Sequence, residues 1–429
     1  LSGPAGAVVG AAQLCGQAGY HDLITMDIGG TSLDVCLIRN SVAEATTTRE
    51  IDMFPVGIPM LDVHTIGAGG GSIVRVDDVG RVKVGPDSMG ARPGPACYGL
   101  GGEQATLTDI NLLMGLLDPV TFANGEVPLD STCAEAVVTE QVAGPLGVDL
   151  AAAIIGVYQV ATNQIAEAIR TVTVERGSDP RDYTLVAFGG GGPLHAAAVA
   201  RELGLGQIIV PRHPGLFSAR GIATADFSHD YIQSVVRPIS DVPAGYIKTT
   251  VAALAQQAAA DLDSEGVAGS HRDMSPALDL RYLGQTTEIT VPLTGPVETL
   301  IDDFREVIDQ FHQFHERLYT YSVPDEPVEL VNVRLRAVGT VDKPPLPPAD
   351  SAGKTKAPIG ERQVLLPDSD GAQPVLVYRR DQLAAGVVLV GPALIEEPSS
   401  TTLVLANMNI TIDPYENMII TLPPSGANL

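Results

Sequence analysis

The chain has 429 residues, 45% of them hydrophobic, more than one ordinary core holds, so two or three domains are expected. Its 26 basic and 51 acidic residues leave a formal charge of −25. That balance excludes a nucleic-acid or anionic-membrane surface, and any anionic ligand has to be held locally by backbone amides and a metal.

Cys15, Cys36, Cys97 and Cys133 are scattered without C-x-x-C spacing, so neither a zinc cluster nor a disulfide framework is expected, and a reducing cytosol fits best. No run of about 18 uninterrupted apolar residues occurs, and no basic stretch leads into an apolar one, so neither a membrane span nor a signal peptide is expected. The chain begins Leu1-Ser2-Gly3-Pro4 without an initiating Met and is expected to be a piece of a longer protein.

In chain order, residues 4–19 are rich in Ala, Gly and Val and read as a helix of small side chains after Pro4. Residues 23–28 and 33–38 are apolar strands joined by Gly29-Gly30-Thr31-Ser32. A strand through Asp62-Val63-His64-Thr65 enters the loop Ile66 to Ser72, and residues 73–84 form a hairpin turning near Asp77-Asp78-Val79-Gly80. The Gly and Pro density from Gly85 to Gly102 predicts an ordered loop without regular structure. Thr108-Asp109 opens a helix running through Leu112, Leu113, Leu116 and Leu117, with Asp109 in its first turn.

The longest helix is expected over 150–176, stopped by Gly177-Ser178-Asp179-Pro180. Leu185 to Phe188, the run Gly189 to Gly192, a helix from Leu194 to about Leu203, and the strand Gln207 to Pro211 form a βαβ unit. Its helix N-terminus is an anion site by default. Beyond residue 240, helices are expected over 245–265 and 297–320, with Phe304, Ile308, Phe311, His315 and Leu318 on one face. Strands are expected near 277–292 and 328–340. A linker over 343–360 precedes a small all-β module over 361–429.

The turn at Asp27 has the chemistry of a phosphate-holding hairpin. Gly29 and Gly30 let the backbone approach an anion and aim its N–H groups, and Thr31 and Ser32 add hydroxyls. Asp27 and Asp34 cannot bind phosphate and so imply a bridging Mg²⁺ or ordered water. The pattern is that of actin, sugar-kinase and Hsp70-type ATPases; a plain Gly-Gly turn with solvated acids is the alternative. The run Gly189 to Gly192 is the second signal, placed like the turn that holds adenosine in such ATPases. Asp62 and His64 share a strand face and suit a metal or a phosphorylated intermediate, with a core histidine as the alternative. His195 reads equally as a capping or packing residue or a ligand, and His312 and His315 as packing. Cys97 lacks a basic neighbour and reads as a structural thiol.

These motifs together resemble the hydantoinase A/5-oxoprolinase family. The resemblance runs almost end to end and is carried by Ser2 to Gly6, Asp27 to Asp34, His64 to Ser72, Gly85-Pro86 and Pro93 to Gly99. It continues in Thr108 to Asn111 and Phe188 to Ala196, more weakly in Asp279 to Gln285 and Gly391 to Glu397. It implies an α/β fold: an actin-like ATPase half over 1–240, an α/β subdomain over 241–342, then the linker and β module.

The resemblance also implies ATP, with Mg²⁺ or Mn²⁺, phosphorylating the carbonyl oxygen of a hydantoin, 5-oxoproline or another lactam for ring opening with a hydantoinase-B-like partner in a cytoplasmic hetero-oligomer. A ketone-carboxylase subunit and a non-catalytic ATPase chaperone or reactivating factor are the rivals. The expected site is Asp27 on the metal; Gly29, Gly30, Thr31 and Ser32 on the phosphates; Gly189, Gly190, Gly191, Gly192 and Pro193 on adenosine; Asp34 and Asp109 behind them; and His64 near the substrate. Three departures stand out. The family's amino-terminal domain, with its own phosphate hairpin, is missing, so this polypeptide alone is not expected to turn over ATP. Leu33 stands where Thr is usual, and Thr320 replaces the Gly of the His-x-x-x-Tyr-Gly-Tyr pattern at His315 to Tyr321.

Overall fold

Leu23, Ile24, Met26 and Ile28 are all fully buried although they alternate along one strand, so both faces of that strand are covered. The computed structural model describes residues 2–46, 49–51, 54–56, 60–293, 295, 304–343 and 356–423. It is a mixed α/β fold with several sheets, divided into one unit of Leu1–Ala223 with Pro345–Leu429 and another of Thr224–Pro344.

The first unit opens with helix α1 (Ser2–Gln17), then the antiparallel strands β1 (Leu23–Ile28) and β2 (Leu33–Arg39), with β3 (His64–Ile66) paired to the start of β2. The expected hairpin forms from Ser72–Val76 and Val82–Ser88, the second strand running into the stretch read as irregular. Asp77 holds its turn by accepting the N–H groups of Val79 and Arg81. Helix α2 (Leu107–Leu113) is shorter than its leucine pattern suggests, and α3 (Leu150–Val172) starts at the Asp149 cap, whose carboxylate accepts the Ala152 N–H at 2.8 Å. Then β4 (Thr184–Phe188), α4 (Gly192–Leu203) and β5 (Gln207–Val210) form the βαβ unit, with β1, β4 and β5 parallel neighbours.

Helix α5 (Phe217–Ala223) follows. Ile24, Met26 and Ile28 pack with Ile154, Val157 and Ile165 of α3, while Leu23, Cys36, Ile38 and Phe188 pack with Ala7, Val8 and Ala11 of α1 and Phe217 of α5. Each fully buried aliphatic side chain of this kind contributes about 1.5–3 kcal/mol. Glycine decides how closely α1 and α5 approach, because a Cβ on Gly221 would run into the Gly6 carbonyl.

Among the described residues, the second unit is one antiparallel sheet with two α-helices. Its strands are β6 (Phe227–Pro238), β7 (Arg272–Tyr282), β8 (Ile289–Pro292) and β9 (Val328–Gly339), in the order β6-β9-β7-β8. Helices α6 (Tyr246–Ser264) and α7 (Arg305–Tyr319) give Val251, Ala258, Leu262 and Phe311 to its core. The expected start of α7 at 297 lies outside the described residues. Leu318 does not join the buried face: it is 64% exposed, and Phe311 and His315 are the fully buried positions of that helix. His315 is satisfied there, its Nδ1 2.8 Å from the Tyr321 carbonyl and its Nε2 3.1 Å from Gln285. Thr320 ends α7 in the left-handed region, φ +67°, the conformation the missing glycine would adopt freely.

The carboxy-terminal segment is all β but not a module of its own. Strands β10 (Gly360–Leu365), β11 (Ala372–Arg379), β13 (Ala393–Glu397) and β14 (Ser400–Val404) make a four-stranded sheet. Strands β12 (Val388–Val390), β15 (Asn409–Ile412) and β16 (Met418–Thr421) instead extend the main sheet, β16 pairing antiparallel with β5. Their apolar side chains complete the first unit's core, which is why this segment belongs with residues distant in sequence. Most of the expected linker, residues 344–355, lies outside the described residues.

Candidate active site

Ile28 pairs with Leu33, so Gly29-Gly30-Thr31-Ser32 is the whole connection between β1 and β2, closed by a bond from the Gly29 N–H to the Ser32 carbonyl at 3.0 Å. The loop Gly67 to Gly71 lies on this turn. Gly70 donates to the Gly29 carbonyl at 2.9 Å and Gly71 to that of Gly30 at 2.6 Å. A Cβ on Gly69 would stand 2.6 Å from the Thr31 and Ser32 nitrogens, so the two loops meet backbone to backbone. The Gly29 and Gly30 carbonyls are thereby satisfied. Among the described residues, no acceptor takes the N–H groups of Gly30, Thr31 or Ser32. Successive free N–H groups in an exposed glycine turn are donors that an anion could take.

Asp27 and Asp34 are register partners across β1 and β2. Asp27 accepts from the Ser218 hydroxyl of α5 at 3.3 Å, and Asp34 from the Thr65 hydroxyl of β3 at 2.5 Å. Burial, and secondarily the charge of Asp34, push the Asp27 carboxyl up to about 6. Two neighbouring carboxylates suit a divalent cation.

The second glycine run lies beside the end of β1. Gly189 has φ +78°, and a Cβ there would collide with the Asp27 carboxylate and the Ile28 carbonyl. Gly191 donates to Ile28 at 2.9 Å. Gly29 and Gly30 therefore share a cleft of about 650 Å³ with Gly190 and Gly191. Gly192 and Pro193, also expected on adenosine, are buried in the first turn of α4 and do not line the cleft.

Two expected site residues lie elsewhere. Asp109 is fully buried and closes the capping box of α2: Oδ1 accepts from Cys97 N–H at 2.8 Å, and Oδ2 accepts from the Thr106 N–H and hydroxyl at 2.9 and 2.7 Å. With both oxygens committed, it cannot reach a ligand. His64 lines a separate cavity of about 370 Å³ with Gln164 and Glu167, because its register partner Val35 puts it on the α3 side of the sheet. Asp62 is held by Arg176, so the Asp62–His64 pair is not a metal site, and no group of three His, Cys, Asp or Glu suited to a metal occurs among the described residues.

The remaining histidine and cysteine readings resolve as packing. His195 is buried against the Tyr158 ring at 4.9 Å between centroids, and burial pulls its imidazole down to about 4, so it is neutral. Burial and the Asp109 charge raise the Cys97 thiol, which leaves it unreactive.

The cleft also holds residues that sequence reasoning passed over. Thr108 fixes the Gly70 carbonyl through its hydroxyl at 2.8 Å, Asn111 follows it on α2, and Glu396, Glu397, Ser399, Ser400 and Thr401 form another wall. The acid pair and hydroxyl run at 396–401 was the available signal. Among the described residues, no Lys, Arg or His lines the cleft, so an anion there would depend on backbone N–H groups and a cation.

The hydantoinase/oxoprolinase family matches residues 1–231, and the hydantoinase/oxoprolinase C-terminal domain matches residues 242–421. The chain is 33% identical over 425 residues to the caprolactamase subunit alpha of Pseudomonas jessenii, covering 98% of this chain and 61% of the relative. It is 32% identical over 428 residues to the acetophenone carboxylase gamma subunit of Aromatoleum aromaticum, covering 96% and 58%. The nucleotide-free structure of acetone carboxylase, from work on ATP-dependent acetone carboxylation, superposes with a TM-score of 0.80 at 26% identity, covering 98% of this chain and 61% of that one. The chain thus spans about three fifths of the length of these relatives.

Proposed function

The chain belongs to the hydantoinase/oxoprolinase family, and on that premise we propose that it is the nucleotide-binding part of an ATP-dependent cyclic-amide hydrolase subunit, built on the actin-like plan. The carrying observation is the set of unbonded N–H groups of Gly30, Thr31 and Ser32, next to the paired Asp27 and Asp34, in a turn whose Gly29 and Gly30 line the Gly190–Gly191 cleft.

In this reading those N–H groups hold the phosphates and the Gly190–Gly191 side of the cleft takes the nucleoside. Asp27 and Asp34 fit Mg²⁺, which binds through one or two carboxylates, waters and phosphate oxygens. Bound there, the ion supplies charge compensation for the transferring phosphoryl group. Ser218 and Thr65 orient the two carboxylates, and Gly189 keeps backbone rather than a side chain against Asp27. Transfer of the γ-phosphoryl to a lactam oxygen yields ADP and an O-phosphorylated imidate. The amide resonance is broken, so water added to the imidate carbon by a partner subunit gives a tetrahedral adduct that expels the ring nitrogen as an amine, and hydrolysis of the resulting acyl phosphate yields the ring-opened acid and inorganic phosphate. The caprolactamase and acetophenone carboxylase relatives are each a subunit, which supports such a hydantoinase-B-like partner.

A second reading, phosphorylation of a ketone for carboxylation, is favoured by the likeness to acetone carboxylase and uses the same residues. ATP hydrolysis by the complete enzyme with its partner, measured across lactams, hydantoins, 5-oxoproline and small ketones, tests both. Stimulation by a cyclic amide supports hydrolysis and stimulation by a ketone supports carboxylation. A flat response to every carbonyl compound overturns both.

A further inference from the structure

Two residues that line the cleft each carry a buried oxygen without a hydrogen-bond partner: Asn111, only 3% exposed, through Oδ1 on α2, and Glu397 through Oε1 at the end of β13. A buried acceptor without a donor is costly, and natural structures rarely leave one unless something else supplies the donor. The other acids of the cleft do not share this state. Asp118 and Glu396 are both bonded to Arg362 at 2.7 Å, and Glu126 is exposed to solvent. Glu397 Oε2 takes the His213 backbone N–H at 3.3 Å, leaving Oε1 open, and burial raises the acid.

An unpartnered carboxyl oxygen accepts from hydroxyl or amino donors, whereas phosphate oxygens are acceptors themselves. On a nucleotide those donors are the ribose hydroxyls and the base amine. Leu117, Phe122 and Leu216 give the cleft apolar lining suited to a flat base, whereas Glu397 sits beside the hydroxyl-bearing Ser399, Ser400 and Thr401, surroundings suited to a sugar. We propose that Glu397 is the ribose acceptor of this site, its Oε1 taking a hydrogen bond from the 2′- or 3′-hydroxyl of the bound nucleotide. Glu397 thereby selects ribonucleotides over deoxyribonucleotides. The inference rests on the ATP-binding reading above.

The test is equilibrium binding of MgATP, 2′-deoxy-ATP and 3′-deoxy-ATP to the full chain, then to Glu397→Gln and Glu126→Gln. Loss of one charge-assisted hydrogen bond is expected to weaken binding of at least one deoxy analogue about tenfold in the wild type. In Glu397→Gln the amide oxygen stays with the His213 N–H and turns an NH₂ toward the sugar, so the ATP-to-deoxy-ATP ratio falls to within about twofold. Glu126→Gln changes the charge of the same cleft, shifts all three ligands alike and leaves the ratio near tenfold. The wild-type comparison needs no variant and is unaffected by any folding defect. Binding of MgATP with neither analogue weakened, or a ratio that survives Glu397→Gln, overturns the role of Glu397 while leaving nucleotide binding intact. No binding of MgATP at all overturns both readings.

Discussion

Asp27 and Asp109 each stand within a few residues of a glycine-rich or hydroxyl-rich turn, and by sequence they look alike. Their surroundings differ completely. At the head of α2, Asp109 has both oxygens filled by three donors, two of them from Thr106 and one from Cys97. At the end of β1, Asp27 has one long bond from Ser218, an acid across the sheet and a carboxyl raised to about 6. The first arrangement stabilises a charge in the fold, and the second leaves a charge short of partners. A buried acid whose donors are complete is architecture, and one whose donors are missing is where a cation or ligand is expected.

The largest test of this contrast is Asp109→Ala, which strands three buried donors and is expected to cost on the order of 3–5 kcal/mol in a denaturation experiment. Stability unchanged within about 1 kcal/mol would mean the capping box is ornamental. In the second unit, Asp279 is equally saturated, accepting from Thr290 at 2.7 Å, Asn332 at 2.8 Å and Arg334 at 2.5 Å. Asp279→Ala should cost a similar amount, because it leaves the Arg334 charge beside an empty site.

Asp27→Asn should do the reverse. A carboxyl whose folded value lies above its unfolded one binds its proton more tightly in the fold, so stability rises as pH falls from about 6 toward 3.8 and is lost above 6. Removing the charge should therefore stabilise the chain at pH 7 by about 1–2 kcal/mol, flatten this pH dependence and abolish ATP-dependent turnover in the complete enzyme. Loss of stability together with loss of turnover would count against the assignment. The smallest effect is expected at His64, whose cavity is separate from the cleft: His64→Ala should change MgATP affinity less than about twofold, and a larger change would reunite the two cavities.

Much of the first unit was legible because local chemistry dictated it. The β1–β2 turn, the long helix behind the Asp149 cap and the βαβ run announce themselves through strand periodicity, capping residues and glycines. Asp109 was also placed correctly in the first turn of its helix. Its capping-box bonds to Thr106, three residues before it, are a local pattern, whereas its third donor was not readable, because Cys97 stands twelve residues away. Glu397 escaped notice for the same reason: it reaches the cleft only because β13 and β14 fold back beside Gly190, where Ser400 bonds the Gly190 carbonyl at 3.2 Å.

The sequence by itself determined the glycine–hydroxyl turn, the paired acids, the acidic balance and the family, since these depend on residue identity at short spacing. Only the tertiary structure decided which acids are free, which glycines face the cleft, which side of the sheet His64 takes, and that the carboxy-terminal strands complete the main sheet. Those outcomes depend on strand register and on hydrogen-bond donors arriving from distant parts of the chain, and no local pattern of residues encodes them.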